Sequence, residues 1–356
     1  MEKTFSKEHT NIAKGFAIIL MLIYHLFEKE EVVVEMGVNY APLSPEVFTM
    51  ISKFGNVCVS VFVFLTAYGI AASILKQKDI TIKEAYGQAF KRFGKLMLNF
   101  LILYVSVILA MFPHFNLKGL YGEGWQGGVR MLTDALGLQM FYGEVTLNET
   151  WWYMEIAYIL IFLVPALTWL VKKIGYYIIP VMYFLPFVIT MNFDIERYLL
   201  VATVGICAAY GNWIGKGMEW KVPGIVKWLI ALAGLVVCVI VRQNYLIQEN
   251  YLALVDAGIA LFFVWSTSVT IGSIPGVRKA FAFLGRHSMN IYLVHTFFYM
   301  SLWRDFIYSF RHAGLIFLTL FITTLLYSIV LEFAKYKMIV PLYRKTVTYI
   351  KSLLKR

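Results

Sequence analysis

Apolar runs about twenty residues long recur along most of the chain, and short polar segments separate them. A transmembrane helix needs about 20 consecutive apolar residues to cross the hydrocarbon core of a bilayer. The runs near that length cover residues 11–27, 54–75, 93–113, 151–171, 176–191, 198–214, 223–241, 251–271, 283–303 and 313–333. This pattern predicts an all-α polytopic membrane protein with about ten transmembrane helices.

No segment between these runs is long enough to form a separate soluble domain. The longest, residues 114–150, is rich in glycine and aromatic side chains, and we expect it to rest on the membrane surface or dip into it. The run at 176–191 is short and contains two prolines, which disfavour a continuous helix. We therefore expect one transmembrane domain over residues 1–333, followed by a basic tail over 334–356.

The composition supports this interpretation. Hydrophobic residues make up 60% of the 356 residues and charged residues only 15%, and the mean hydropathy is +0.69. These values exclude an ordinary soluble protein. The cysteines all lie within apolar runs, so no disulfide framework is expected. The first run begins like a signal peptide, but no small-residue cleavage pattern follows, so we interpret it as a retained helix.

The distribution of charge predicts the orientation in the membrane. If the N-terminus is cytoplasmic and ten spans alternate, 24 of the 32 lysines and arginines lie on the cytoplasmic side. The remaining ones are Lys29, Lys53, Lys118, Arg130, Arg197, Arg242, Arg304 and Arg311. Because cytoplasmic loops are enriched in basic residues, both termini are predicted to be cytoplasmic. Anionic membrane lipid, and not nucleic acid, is then the expected partner of the basic tail.

Ionisable side chains within the apolar runs are costly, so each is a candidate functional residue. The predicted topology places His25, Glu155, Asp256 and His295 in one layer toward the outer face. Histidine and carboxylate groups in such a layer suit proton transfer on a hydroxyl group. Interhelical hydrogen bonding or solvation at the interface is the alternative for each of them. No spacing typical of a metal site is present, so no metal is expected.

A second polar group lies at the cytoplasmic ends of the runs. Lys14, the segment KRFGK at 91–95 and GRH at 285–287 form a cationic collar in the predicted topology. Lys14 and His25 are eleven residues apart, so they share one helix face at a separation of about 16 Å along the axis. The collar suits a phosphate-bearing donor, and the layer above it suits a hydroxyl acceptor. As alternatives, Lys14 snorkels to the headgroups and the other basic residues are membrane anchors.

Taken in order, these segments resemble the acyltransferase-3 family of membrane proteins. The first helix of that family carries an arginine, ten residues and a histidine, and Lys14 and His25 have this spacing. The second run, VCVSVFVFLTAYG, is similar to the family's GVxxFFxLSG with Thr-Ala for Ser-Gly, and KRFGK is similar to its RRxxR. WWYMEIAY resembles a tryptophan-led segment with a glutamate. In FLGRHSMNIYLVH, Ser288, Tyr292 and His295 match the family's S-x-x-x-Y-L-x-H.

The resemblance implies an enzyme that transfers an acyl group, usually acetyl from acetyl-CoA, to a hydroxyl of a carbohydrate or other cell-surface acceptor at the cell membrane. Acyl-CoA is then a co-substrate, and no tightly bound cofactor is expected. The roles that the resemblance implies are catalysis for His25 and Glu155, donor binding for Lys14, Arg92 and Lys95, and acceptor binding for Ser288, Tyr292 and His295. A fused extracellular domain, which some relatives use, would here be a separate extracytoplasmic partner protein.

Two departures from the family pattern affect these roles. Lysine in place of arginine at position 14 keeps the charge but loses the bidentate fork. Thr66-Ala67 adds a methyl group where helices of the family approach most closely. The main alternative function is a transporter or flippase, because ten spans with charges inside the membrane also fit alternating access. A small-molecule uptake module on the same scaffold is a second alternative.

Overall fold

The computed structural model describes residues 5–77, 79–111, 114–143, 145–191, 193–244, 251–339 and 341. In this part of the chain, almost all regular structure is helical, and one isolated β-bridge joins Asn39 and His312. The predicted all-α class is confirmed. Residues 340 and 342–356, which make up most of the predicted basic tail, lie outside the described residues.

The described residues contain sixteen α-helices, several of which are joined by short 3₁₀ or π turns. In chain order they are α1 (Lys7–Phe27), α2 (Glu30–Glu35), α3 (Pro45–Phe54), α4 (Cys58–Leu75), α5 (Ile82–Met111), α6 (Leu117–Tyr121), α7 (Gly124–Ala135), α8 (Tyr153–Ile174), α9 (Ile178–Phe184), α10 (Phe193–Gly211), α11 (Trp213–Glu219), α12 (Gly224–Arg242), α13 (Leu252–Val269), α14 (Pro275–Thr296), α15 (Arg304–Tyr308) and α16 (Ala313–Ala334).

In the described part of the chain, seven helical segments are long and apolar enough to cross a membrane. The number is eight if α10 and α11, which meet at a bend of 58°, count as one span. The chain is thus a multi-pass membrane protein, but the predicted count of ten spans is not confirmed. The run at 176–191 is broken into α9 and neighbouring turns. Helix α14, which covers most of 283–303, is too polar to count by composition.

Helices α1 and α14 form the most extensive helix contact of the described residues and run parallel to each other. A Cβ on Gly15 would clash with the backbone of Phe281, and one on Gly285 would clash with the backbone of Asn11. Glycine at both positions therefore allows the two backbones to approach closely. Gly15 and Gly285 are 270 positions apart, as are the contacting residues His25 and His295. The register set by the glycines therefore persists as far as the histidines.

The pair formed by α1 and α14 lies at the centre of the protein. Helices α3, α4, α13 and α16 pack against this pair, and α8 and α10 pack in turn against α4. Helices α5, α12 and α16 bury only a small part of their most apolar windows. The extra methyl group of Ala67 on α4 faces Gly205 of α10. A Cβ placed on Gly205 would lie 3.4 Å from the Cβ of Ala67, so the glycine leaves room for the methyl group. The substitution at Thr66-Ala67 therefore does not prevent close helix packing.

The long segment 114–150 is folded around a buried carboxyl group. Asp134 accepts hydrogen bonds from the Tyr121 hydroxyl at 2.5 Å, from the Thr146 hydroxyl at 2.9 Å and from the Leu147 backbone N–H at 2.7 Å. Burial raises the pKa of Asp134 above that of an exposed aspartate. These bonds hold α6, α7 and the residues before α8 together.

The same segment is attached to the end of α14 that carries His295. Asn148 donates to the Thr296 hydroxyl at 2.5 Å, and the indole N–H of Trp151 donates to the Leu293 carbonyl at 2.8 Å. A tryptophan at the start of a span is typical of an aromatic belt, but Trp151 is fully buried against aromatic side chains. The segment thus covers one end of the central helix pair.

Candidate active site

The structure brings together two histidines that lie in the first and ninth predicted spans. Nε2 of His295 lies 3.0 Å from Nδ1 of His25, and the ring centroids are 4.8 Å apart. His295 is fully buried, and His25 is half-buried. The sequence pattern predicts a similar depth for both residues but separate roles, catalysis and acceptor binding. The parallel register of α1 and α14 makes them one pair.

The partners of the two rings assign their tautomers. Nδ1 of His295 lies 2.6 Å from the backbone carbonyl of Tyr292, which can only accept, so this nitrogen carries the hydrogen. In a neutral ring, Nε2 of His295 is then an acceptor, and Nδ1 of His25 must donate to it. The thioether of Met21, 2.9 Å from the same nitrogen of His25, is also an acceptor. The neutral His25 ring therefore has an unprotonated Nε2, the state that a general base requires.

A cationic cavity of about 510 Å³ lies at the other end of α1. Its lining includes Lys7, Lys14, Lys76 and Arg92, from α1, α4 and α5. Arg92 donates to the Ser73 hydroxyl at 2.6 Å. Among the described residues, neither Lys14 nor Arg92 forms an ion pair with a carboxylate. A concave site with four basic side chains and no acid among its described lining residues suits an anionic ligand.

Part of the predicted collar is not found at this cavity. Lys95 is exposed and is absent from the lining residues described for the cavity. In the segment at 285–287, Gly285 packs against α1 and Arg286 is exposed. His287 is buried and shares a hydrogen bond of 2.8 Å with Ser328 on α16. Residues 285–287 therefore do not join Lys14 in the described lining of this cavity.

A second, mostly apolar cavity of about 170 Å³ adjoins the cationic one. Lys14, Thr66 and Ile161 line both cavities. The second cavity extends along α4, α8 and α14 as far as Tyr292 and also contacts Ser288. The Tyr292 ring is 6.1 Å from the His295 ring, and its hydroxyl donates to the Thr150 carbonyl. The two cavities together thus extend from the cationic site to Tyr292, whose ring lies between them and the histidine pair.

Of the residues that the resemblance implicates, Glu155 is the least well placed by the structure. It is half-buried in the first turn of α8, and the described lining of the apolar cavity includes its neighbours Tyr153, Met154 and Ala157 but not Glu155. Its Oε1 atom is buried. Glu155 is thus not among the described contacts of the two histidines or the described lining of either cavity.

Asp256 belongs to a separate buried ion cluster. Its carboxylate pairs with Arg242 at 2.8 Å and Arg197 at 2.9 Å, and it accepts from the Ser60 hydroxyl at 2.9 Å. Both arginines also donate to the side-chain oxygen of Asn56, at 2.9 Å and 3.1 Å. The four titratable groups that are predicted to share one outer layer therefore do not form a single site, because Asp256 pairs with the arginines and the histidines pair with each other. The distribution of charge predicts outer loops for these arginines and does not identify them as partners of Asp256.

Lys7, Lys76 and Cys58 were missed by the sequence analysis, although each lines one of the two cavities. Lys7 and Lys76 lie at the ends of apolar runs, where the same charge is expected for membrane anchors. Cys58 has no neighbour in sequence that marks it as a lining residue. The helical period predicts that Lys14 and His25 share one face of α1. It carries no information on the residues that other helices contribute to the two cavities.

Comparison with protein families gives one result. The family model for acyltransferase-3, described as an acyltransferase domain, matches residues 10–333. This range contains both histidines, the apolar cavity, the Asp256 cluster and most of the lining of the cationic cavity. No curated protein and no solved structure matches the chain significantly.

Proposed function

Because this chain belongs to the acyltransferase-3 family, and is thus a membrane acyltransferase, we propose that it is an O-acyltransferase that uses acyl-CoA. The acyl group, acetyl in the first instance, moves to a hydroxyl of a carbohydrate or other cell-surface acceptor. The observation that carries the proposal is the arrangement along α1 of a cationic cavity at Lys14 and a histidine pair at His25.

The cationic cavity supports a coenzyme A donor. Coenzyme A carries several phosphate charges at one end and a thioester at the end of a thin, flexible arm. Lys14 and Arg92 would hold phosphates, since arginine and lysine are the usual partners of phosphate oxygens in proteins. The arm would pass Lys14 into the apolar cavity, so that the thioester approaches the histidine pair.

The histidine pair supports general base catalysis. Nε2 of His25 would take the proton of the acceptor hydroxyl as its oxygen attacks the thioester carbonyl. The C–S bond then breaks, and the coenzyme A thiolate takes the proton from His25. His295 would hold the His25 ring in the tautomer that leaves Nε2 free, as the third member of a triad orients its base.

The orientation of the enzyme follows from the distribution of charge. We propose that it lies in the cell membrane with both termini in the cytoplasm, because with ten alternating spans this orientation places 24 of the 32 basic residues inside. The cationic cavity then opens toward cytosolic acyl-CoA, and the segment 114–150 faces the outside. Cysteine labelling of intact cells should reach Glu35→Cys and should not reach Lys216→Cys; the reverse pattern would overturn this orientation.

The transporter alternative has one feature in its favour, the bend of 58° between α10 and α11. Transporters that work by alternating access place broken helices at the substrate site, near the membrane midplane. Here the break follows Gly211, which packs against the Tyr176 side chain at the turn between α8 and α9. The break thus lies near helix ends and away from both cavities, which favours the enzyme.

The test is transfer by the purified full-length protein in lipid nanodiscs. Acetyl-labelled acetyl-CoA should be consumed, with the label appearing in free acetate when water is the acceptor or in an added carbohydrate acceptor. Lys14→Arg should retain this activity, because the charge is kept, and Lys14→Ala should raise the KM for acetyl-CoA. A wild-type protein that moves an acceptor across liposomes and never consumes acyl-CoA would contradict the proposal and favour the transporter.

A further inference from the structure

Both cavities lie on the N-terminal side of the histidine pair along α1. They extend from the cationic site past Lys14 and end at Tyr292. A donor that fills them therefore approaches His25 from that side. The acceptor hydroxyl has to meet the base from another direction, so the side chains just beyond the pair, at the C-terminal end of α1, are candidates for holding the acceptor.

A carboxylate and a tyrosine lie directly beyond the pair. Glu28 is the partly exposed C-cap residue of α1 and follows His25 by three residues. It therefore neighbours His25 on the helix surface, about 4.5 Å further along the axis. Tyr299 follows His295 by four residues, and its ring stacks on the His295 ring with centroids 5.9 Å apart. Because α1 and α14 are parallel, Glu28 and Tyr299 extend the pair in the same direction.

The Glu28 carboxylate is oriented by a chain of hydrogen bonds. The Tyr24 hydroxyl donates to it, and the Asn56 side chain donates to the oxygen of the same hydroxyl. Asn56 is itself fixed, since its side-chain oxygen accepts from Arg197 and Arg242. A carboxylate offers about four acceptor positions, so one bond from Tyr24 leaves room for others. Glu28 is thus held by the protein and is still able to accept from a ligand.

The groups around Glu28 suit a ligand that carries several hydroxyls. The side chains of Tyr299 and Tyr308 lie near enough to Glu28 to interact with its charge, and the Tyr24 ring lies 5.0 Å from the His25 ring. The carboxylate would accept from a hydroxyl, while the aromatic rings offer apolar surface to the carbon atoms that bear it.

We propose that Glu28 binds the acceptor through a second hydroxyl, next to the one that His25 deprotonates. This role rests on the proposed function, since it needs His25 to act on an acceptor hydroxyl. Glu28 accepts a hydrogen bond and takes no proton, so the transfer step itself is unchanged. The enzyme then selects acceptors with neighbouring hydroxyls. Ser288 and Tyr292, which line the apolar cavity, would contact the donor arm and not the acceptor.

The experiment uses the full-length enzyme in nanodiscs with acetyl-labelled acetyl-CoA and two probe acceptors, glycerol and n-propanol. Both have a three-carbon chain, but only glycerol has hydroxyls on neighbouring carbons. The readout is the ratio of acetyl ester to free acetate, which does not depend on the amount of folded enzyme. At equal alcohol concentrations, wild type should give at least about a tenfold higher ratio with glycerol, because a site that hydrogen-bonds a hydroxyl rejects the analogue that lacks it.

Variants of Glu28 should remove this preference without stopping the chemistry. Glu28→Ala should lower the glycerol ratio by about tenfold, as expected for the loss of a hydrogen bond to a charged group. The ratio with n-propanol and the rate of hydrolysis in water should stay near wild type. Glu28→Gln should keep part of the preference, because its amide oxygen still accepts. Tyr24→Phe keeps the ring but removes the hydroxyl that orients Glu28, so it should have a smaller effect than Glu28→Ala.

Glu31→Gln is the matched control for Glu28→Gln. It removes the same charge three residues further along, at an exposed position in the first turn of α2. Both ester ratios should stay at the wild-type values, which separates a contact with the acceptor from a general effect of negative charge near the site.

Two results would overturn the role of Glu28 alone. One is a wild type that forms no more glycerol ester than propanol ester, and the other is a Glu28→Ala protein with the wild-type glycerol ratio. In both cases acetyl-CoA is still consumed, so the proposed function stands. A wild type that consumes no acetyl-CoA would overturn the proposed function and, with it, the role of Glu28.

Discussion

Two buried polar groups of this protein, the His25–His295 pair and the Asp256 cluster, arise from similar signals in the sequence. Both contain ionisable residues within long apolar runs, and both join helices that are distant in the chain. They differ in how many of their polar atoms have a hydrogen-bond or ion-pair partner. The Asp256 carboxylate has two arginines and a serine as partners, whereas no described residue hydrogen-bonds to Nε2 of His25.

This difference separates a structural role from a chemical one. A buried ion pair with every group satisfied holds helices in place and has no atom left for a substrate. A neutral histidine that is fixed through one nitrogen has the other available for proton transfer. An ionisable residue inside a membrane segment is therefore a candidate for function, and its partners decide which kind of function.

The strongest test of the comparison removes the base. His25→Ala should lower acyl transfer by about 10²–10⁴-fold, as expected for the loss of a general base. The amount of protein in the membrane and its thermal stability should stay near wild type, because the change leaves no buried charge. A His25→Ala protein as active as wild type would leave a structural histidine and a snorkelling lysine on α1.

The corresponding change in the other cluster should affect folding instead. Asp256→Ala leaves Arg197 and Arg242 without their carboxylate, and breaking such a buried pair costs about 3–5 kcal/mol. The protein should be less abundant in the membrane and unfold at a lower temperature, while kcat per folded molecule stays near wild type. Asp256→Asn should lie between Asp256→Ala and wild type, because it keeps a hydrogen-bond acceptor. Wild-type thermal stability of Asp256→Ala would refute the structural role.

A third test concerns the orientation of the base. His295→Phe keeps a planar ring but removes the acceptor for Nδ1 of His25, so kcat should fall by about ten- to a hundredfold with little change in the KM for acyl-CoA. His295→Gln should recover part of the loss, because its amide oxygen can accept the same hydrogen bond. Equal kcat for the two variants would mean that His295 only packs against its neighbours, and a raised acceptor KM would return it to acceptor binding.

The smallest expected effect distinguishes two basic residues of the KRFGK segment. Arg92 lines the cationic cavity and Lys95 is exposed. Arg92→Gln should raise the KM for acyl-CoA by about tenfold, in line with the loss of a charge-assisted hydrogen bond. Lys95→Gln should change the same KM by less than about twofold, as expected for a solvated charge. Both measurements need equal protein amounts, since basic residues also set topology. A larger effect of Lys95→Gln would mean that the donor binds outside the described cavity.

Much of the architecture was determined by the sequence alone. The apolar runs required helices in a membrane, because an unpaired backbone in hydrocarbon is too costly. The spacing of Lys14 and His25 placed both on one face of α1, since the α-helix repeats every 3.6 residues. The motifs, in order, indicated the acyltransferase-3 family, which the match over residues 10–333 confirms.

Only the tertiary structure decided which polar residues meet. Hydropathy predicts the depth of a residue in the membrane, and by depth alone His25, Asp256 and His295 belong to one layer. Contact also depends on the lateral positions of the residues, which are set by how the helices pack side by side. Two glycines, at 15 and 285, bring α1 and α14 close enough to join the histidines. Helix α14 was itself too polar to pass as a span on its own, because it carries polar residues such as His287 and His295 that pair with α16 and α1.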